Sequence, residues 1–242
     1  MTDPPPAARP GPPVTLITGG STGIGAATAR MLLERGHRVA ITGRRAARLS
    51  RLAGDLGNPP GLLTIPGDAA SHDDVRAAVQ ACLDAYGRLD VTVASAGYST
   101  FDYLADGDPA GWHHMVLTNV LGPALLIRTA LPALRLTRGR IVLVGSVAGV
   151  VYSEGNIYGA TKWAVTALAE NTRRLVTGDG VGVTLVNPGA VETSFWEGAG
   201  SVPDRPMLTA GQLAAAIVWA IGQPPGVDVN TLTIRPLGVP VA

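Results

Sequence analysis

Apolar residues along this 242-residue chain fall into short, nearly continuous runs separated by longer segments with helical period. The runs Val14–Thr18, Arg38–Thr42, Leu62–Ile65, Leu89–Ala94, Arg140–Gly145, Val181–Val186 and Thr231–Arg235 predict seven β-strands. Continuous rather than alternating apolarity is expected of parallel strands whose two faces are both covered by helices. Helical pattern fills Ala26–Glu34, Ser71 to about Tyr86, the stretch near Pro109–Leu134, the stretch from near Gly155 to Val176, and the segment after Thr209. Ser71 three residues before Asp74, and Thr209 three before Gln212, are helix-start signals in which side chain and backbone cap each other. Strand–helix alternation of this kind predicts right-handed crossovers and an α/β fold with one doubly wound, seven-stranded parallel sheet.

Residues 1–13 hold six prolines and almost no large apolar side chain, so they are expected to form a Pro-rich tail outside the core. Residues 14–242 contain no internal repeat and no second linker, and are expected to form a single domain. Lys and Arg total 19 against 18 Asp and Glu, a formal charge of +1. That balance supplies no electrostatic footprint for nucleic acid or an anionic membrane, and points to a small-molecule partner. Cys82 is the only cysteine, which excludes a disulfide framework and a cysteine-rich zinc site and suits a reducing cytoplasm. No stretch approaches the roughly 20 consecutive apolar residues of a membrane span, and the N-terminus lacks signal-peptide order, so a cytoplasmic protein is expected. His72, His113 and His114 lack the placement of metal ligands, and no metal site is expected.

The first strand runs into Thr18-Gly19-Gly20-Ser21-Thr22-Gly23-Ile24-Gly25, and a helix follows. A glycine-rich turn between a strand and a helix N-terminus aims backbone N–H groups and the helix dipole at a pyrophosphate, while absent side chains allow close approach. The spacing Gly19-x-x-x-Gly23-x-Gly25 differs from the usual G-x-G-x-x-G fingerprint. An NAD site commonly has an acidic residue at the end of the second strand for the ribose hydroxyls. Here that place reads Thr42-Gly43-Arg44-Arg45. Arg44, helped by Ser21 and with Arg45 beside it, is suited to a 2′-phosphate, so NADP(H) is the expected cofactor.

All but one of the 19 basic residues are arginine, and the exception is Lys162. It lies four residues after Tyr158, so on a helix the two share a face. An ammonium close to a phenol favours the phenolate, and on that ground Lys162 is expected to lower the Tyr158 pKa. Tyr158 is then placed to give a proton to a carbonyl oxygen receiving hydride, or to take one from an alcohol losing it. Ser146, at the carboxyl edge of the sheet where ligands of open α/β folds bind, is placed to hold the same oxygen.

Together, Thr18–Gly25, Ser146 and the Tyr158-x-x-x-Lys162 pair resemble the short-chain dehydrogenase/reductase family from Val14 onward, which implies a Rossmann-like fold. The resemblance implies that Tyr158 is the general acid/base, that Lys162 also binds the nicotinamide ribose, and that Ser146 orients the carbonyl. It implies that Asn119, in Thr118-Asn119-Val120, holds a water in the proton relay, and that Asp68, with Ala69 beside it, contacts the adenine. It further implies cofactor contacts from Gly19, Ser21, Thr22, Gly23, Ile24, Gly25, Ala96, Gly97, Pro188, Gly189, Val191 and Thr193. Two departures stand out: Ala94-Ser95-Ala96-Gly97 replaces the common Asn-Asn-Ala-Gly, and the Ser146-to-Tyr158 spacing is 12 where 13 is commonest.

Tyr98, Tyr152, Glu154, Phe195 and Trp196 are the candidate substrate-pocket residues. The apolar content of Ser194–Leu208 suggests a hydrophobic substrate, whereas the ending Thr231–Pro236 resembles a subgroup acting on hydroxy acids. The expected activity is NADP(H)-dependent interconversion of a carbonyl and a secondary alcohol. Alternatives are an imine reductase or epimerase, and a dinucleotide-binding redox sensor without turnover. The resemblance also implies a homo-oligomer, a tetramer or dimer, paired through the two long helices by Leu121, Leu125, Val165 and Leu168.

Overall fold

The computed structural model describes residues 11–152 and 154–239, so the expected tail lies outside the described residues up to position 10. Seven parallel strands form the main sheet: β1 (Val14–Thr18), β2 (Arg38–Gly43), β3 (Leu62–Pro66), β4 (Val91–Ala94), β5 (Arg140–Val144), β6 (Gly182–Pro188) and β9 (Thr231–Ile234). Their order is β3-β2-β1-β4-β5-β6-β9, with the direction of winding reversing between β1 and β4. Two two-residue strands, β7 (Val191–Glu192) and β8 (Leu208–Thr209), pair separately and close the segment between them into a flap after β6.

Helices α1 (Gly23–Glu34), α2 (Ala46–Asp55) and α7 (Ala210–Ile221) cover one face. Helices α3 (His72–Tyr86), α5 (Gly122–Thr137) and α6 (Ile157–Val176) cover the other. Leu16 and Ile17 are adjacent on β1 yet lie in cores on opposite faces, which is why the strand pattern is continuous rather than alternating. The expected caps are present: Asp74 N–H donates to Ser71 Oγ at 3.3 Å, and Thr209 and Gln212 form the reciprocal box.

Several details differ from the sequence expectation. α2 was not among the predicted helices, because its arginine-rich exposed face dilutes the apolar stripe to Leu49 and Leu52. The long helix near Pro109–Leu134 is three elements end to end: α4 (Pro109–Val116), a π-helical turn at Leu117–Leu121, and α5. That combined helix, Pro109–Thr137, is long and apolar enough by length and composition to cross a membrane, contrary to the reading that no stretch comes close. Its apolar side is a core face: Leu126, Ala130 and Leu134 pack beneath the sheet. Of the four residues expected to pair subunits, Val165 is buried in the core, and Leu125 and Leu168 pack against it. Leu121 is exposed, and Leu125 and Leu168 are half-buried.

Candidate active site

The glycine loop follows β1, and the predicted Ser146 and Gly97 follow the carboxyl ends of β5 and β4. α1 starts directly at Gly23, and its N-cap Thr22 makes no side-chain hydrogen bond to the first turn. At α3, α4, α6 and α7 a capping side chain accepts from first-turn amides. The first-turn donors of α1 therefore lack a side-chain capping oxygen, as phosphate recognition requires. Gly19, at φ +66, could not carry a side chain, since a Cβ there would meet the Ala96 backbone at 2.7 Å. A Cβ on Gly25 would stand 2.5 Å from the Gly19 carbonyl oxygen. Ile24 follows in the first turn of α1. Thr193 lies against Gly23, 3.1 Å from where a Cβ would stand, so the flap meets the glycine loop there.

At the end of β2, Arg44 and Arg45 are exposed, and no ion pair involves either among the described residues. Ser21 Oγ lies 3.0 Å from where a Gly43 Cβ would be, so Ser21 borders the same corner. Arg48 is engaged with Glu197 of the flap at 3.4 Å. Asp68 accepts from the Ala70 N–H, with Ala69 between them buried beside the π-turn. Burial raises the Tyr98 phenol pKa, with Arg44 lowering it and Asp68 raising it. Tyr98, a candidate substrate-pocket residue, thus lies within electrostatic reach of Arg44 and Asp68. An uncapped helix terminus and a glycine cradle fit the phosphates of a nicotinamide dinucleotide.

Ser146 leaves β5 in extended conformation and caps a short 3₁₀ turn, its Oγ accepting from Ala148 N–H at 3.1 Å. Its own N–H donates to Asn187 Oδ1 at 3.2 Å, so the end of β6 sets its position. Lys162 is buried on α6, with Nζ donating to the Val144 carbonyl at 2.9 Å and lying 5.6 Å from the Tyr158 ring centroid. Asn119 sits in the π-helical turn, where Gly122 N–H reaches back five residues to Leu117. Its Nδ2 donates to the Tyr98 carbonyl and to Thr161 Oγ1, and its Oδ1 accepts from Tyr98 N–H. Both Nδ2 protons are used, so a water beside Asn119 would have to meet Oδ1 or the main chain. Thr161 in turn donates to the Tyr158 carbonyl at 2.7 Å, tying Asn119 to α6. A Cβ on Gly97 would stand 3.2 Å from Asn119 Oδ1 and 3.6 Å from Lys162 Nζ, so the loop after β4 closes this group.

The electrostatics correct one expectation. Burial pushes the Tyr158 phenol up to about 12, and the counteracting influence is a hydrogen bond with Ser146, not Lys162. Burial likewise pulls Lys162 down to about 8, so the ammonium that was to lower the phenol is itself weakened by desolvation.

The flap brings Phe195 over Tyr158, ring centroids 5.6 Å apart, with Trp196 and Phe101 completing an aromatic wall. Trp196 Nε1 donates to the Val191 carbonyl at 2.8 Å. Phe101 holds a left-handed backbone at φ +59, unusual for a bulky residue, with Ser99 Oγ accepting its N–H and Asp102 fixed by Trp112 Nε1. Sequence reading missed Phe101, because nothing local marks a strained aromatic. Pro188 ends β6 and Gly189 follows it. Two candidates are not drawn into this group: Tyr152 is 91% exposed and stacks on Trp163, and Glu154 is exposed. Cys82 is buried in the core, its thiol pushed up to about 12 by burial, and is unreactive there. Among the described residues no cluster of three or more His, Cys, Asp or Glu could hold a metal ion.

Comparison with known proteins gives this architecture a class. The model of the short chain dehydrogenase family matches residues 13–202. This chain belongs to that family, one of oxidoreductases. An uncharacterized oxidoreductase of Staphylococcus epidermidis is 33% identical over 226 residues, covering 93% of this chain and 97% of the relative. Among solved structures, an alcohol dehydrogenase of the archaeon Thermococcus sibiricus complexed with 5-hydroxy-NADP superposes with TM-score 0.86 at 29% identity, over 95% of this chain and 99% of that one. A closed form of serine dehydrogenase complexed with NADP+ gives TM-score 0.85 at 29% identity, over 95% and 97% of the two chains.

Proposed function

We propose that this protein interconverts a carbonyl and a secondary alcohol using NADP(H). The observation that carries the reading is the meeting of Tyr158, Ser146 and Lys162 at the carboxyl edge of the sheet, beside the glycine loop. The cofactor, when bound, supplies or accepts the hydride. Ser146 holds the substrate oxygen and Tyr158 moves the proton at that oxygen through its phenol. With its pKa raised, the phenol is protonated at neutral pH, the form that donates during carbonyl reduction. Lys162 holds its charge between the end of β5 and the Tyr158 ring, where a ribose hydroxyl has a donor to meet. Asn119 keeps the loop after β4 and helix α6 in register through Tyr98 and Thr161.

Arg44 and Arg45, which have no carboxylate partner among the described residues, support a preference for the 2′-phosphate, and the two 29%-identical structures carry NADP-type ligands. Self-association and a cytoplasmic setting belong to the same reading. The exposed Val116, Leu121 and Leu175 on the long helices support the first, and the lone buried cysteine is compatible with the second. The test is a panel of aldehydes and ketones assayed by loss of NADPH absorbance. Turnover that vanishes in Tyr158→Phe is expected, and binding of NADPH with no turnover across the panel would favour a sensor instead.

A further inference from the structure

β9 ends at Ile234, whose carbonyl accepts the Gly189 N–H at 2.7 Å, so Arg235 emerges directly beside the loop that follows β6. Arg235 lines a cavity of about 120 Å³, together with Arg205 from the flap. Val147 and Val151, on the loop that begins at Ser146, also line it, as do Gly189 and Val239. Among the described residues no Asp or Glu lines it. Arg235 Nε is buried and has no hydrogen-bond partner among the described residues.

Other sheltered arginines of this chain are satisfied: Arg88 is paired with Asp90, Arg173 with Asp228, and Arg140 donates to the Val227, Gln223 and Pro224 carbonyls. A buried guanidinium N–H without an acceptor is costly, and a planar cationic fork matches the two oxygens of a carboxylate. The cavity exceeds by several times what one ordered water needs, so it has room for the end of a short-chain acid.

We propose that Arg235, assisted by Arg205, is an anion subsite that binds a carboxylate on the substrate whose carbonyl sits at Ser146 and Tyr158. The proposal rests on the carbonyl–alcohol reading and deepens it by naming the substrate class: short oxo acids and their hydroxy acids. Val147, which lines the cavity, directly follows Ser146, so the cavity borders the residue that holds the reacting oxygen. The remaining lining, by Val147, Val151, Pro206, Pro236 and Val239, is apolar and suits the carbon chain of an organic acid rather than a free phosphate.

The test compares kcat/KM for acetoacetate and its uncharged methyl ester, with NADPH, in the wild type, Arg235→Met, Arg235→Lys and Arg205→Met. The wild type is expected to favour the acid at least tenfold. Arg235→Met should shrink the acid-to-ester ratio at least tenfold, Arg235→Lys should restore part of it, and Arg205→Met should reduce it severalfold. A wild-type ratio near one, or a ratio unchanged in Arg235→Met, overturns the proposal. Calorimetric titration of succinate and of inorganic phosphate into the same proteins is independent of turnover. Succinate binding that disappears in Arg235→Met supports the subsite even if neither ketone is reduced, in which case only the proposed activity falls. No succinate binding to the wild type, or tighter binding of phosphate than of succinate, overturns the carboxylate assignment. Arg205→Met, on an exposed position, keeps the question open to test should Arg235→Met fail to fold.

Discussion

Lys162 Nζ donates to the carbonyl of Val144 at 2.9 Å, and this bond holds helix α6 against the last residue of β5, two positions before Ser146. The same lysine is desolvated, with its pKa lowered from the usual 10.5 to about 8. Its neighbour Tyr158 is shifted the other way, from 10 up to about 12.

These opposed shifts set a pH dependence of stability in the cofactor-free protein. Between about pH 8 and 10.5 the unfolded chain carries a proton on Lys162 that the native state has released, so stability rises with pH across that window. Above pH 10 the unfolded chain loses the Tyr158 proton that the native state keeps, so stability falls there. A maximum near pH 10 is expected, with a gain on the order of 3 kcal/mol credited to Lys162. Urea unfolding at a series of pH values should show this rise in the wild type and a flattened profile in Lys162→Met. A rise of equal size in both proteins would mean that another group is responsible.

Much of the fold was legible because strands buried on both faces write their position as unbroken apolar runs, as at Val14–Thr18 and Arg140–Val144. Capping residues such as Ser71 and Thr209 carried the helix starts. Features set by long-range contact left no local trace. The π-turn at Asn119 depends on Tyr98 and Thr161, which are far away in sequence. The two-residue strands β7 and β8 are too short for any period. Arg205 and Arg235 face one cavity only because the flap and β9 meet at Gly189. The sign of the Tyr158 shift was misread because spacing along a helix reveals a neighbouring charge and conceals burial.

The β2 end should dictate cofactor choice. A charge-assisted hydrogen bond from Arg44 to a 2′-phosphate contributes about 1.5–3 kcal/mol, which corresponds to roughly ten- to hundredfold preference for NADPH over NADH. Gly43→Asp with Arg44→Ala should reverse it, since a carboxylate repels the phosphate and accepts the ribose hydroxyls. The new side chain meets Ser21 Oγ at 3.0 Å, which a rotation of the serine relieves. Equal kcat/KM for both cofactors in the unmodified protein would reduce Arg44 to a surface residue.

Gly25 tests the cradle. A methyl group there would press on the Gly19 carbonyl, a backbone atom that cannot swing away. Gly25→Ala is expected to cost about 1–3 kcal/mol of stability. NADPH affinity should also fall by at least tenfold, read by quenching of protein fluorescence. Unchanged affinity would show that the glycines serve the fold alone.

Phe195 should act on the substrate rather than on chemistry. Its ring lies over Tyr158 with its centroid 5.6 Å away, and is held from behind by Phe101 and Trp196. Phe195→Ala is expected to raise KM for the best ketone severalfold and to widen the range of bulky ketones accepted. A collapse of kcat with KM unaltered would contradict this and point to a role in proton transfer.

The central claim is that the Tyr158 hydroxyl moves the proton while neighbouring groups position the reactants. Single-turnover reduction of an accepted ketone by prebound NADPH in Tyr158→Phe is the most direct measurement, because the substitution removes one oxygen and almost no volume. The account predicts a loss of at least a hundredfold in the hydride-transfer rate, within the range that general acid catalysis supplies, with NADPH affinity within about twofold of wild type. A variant that transfers hydride at near the wild-type rate would contradict it.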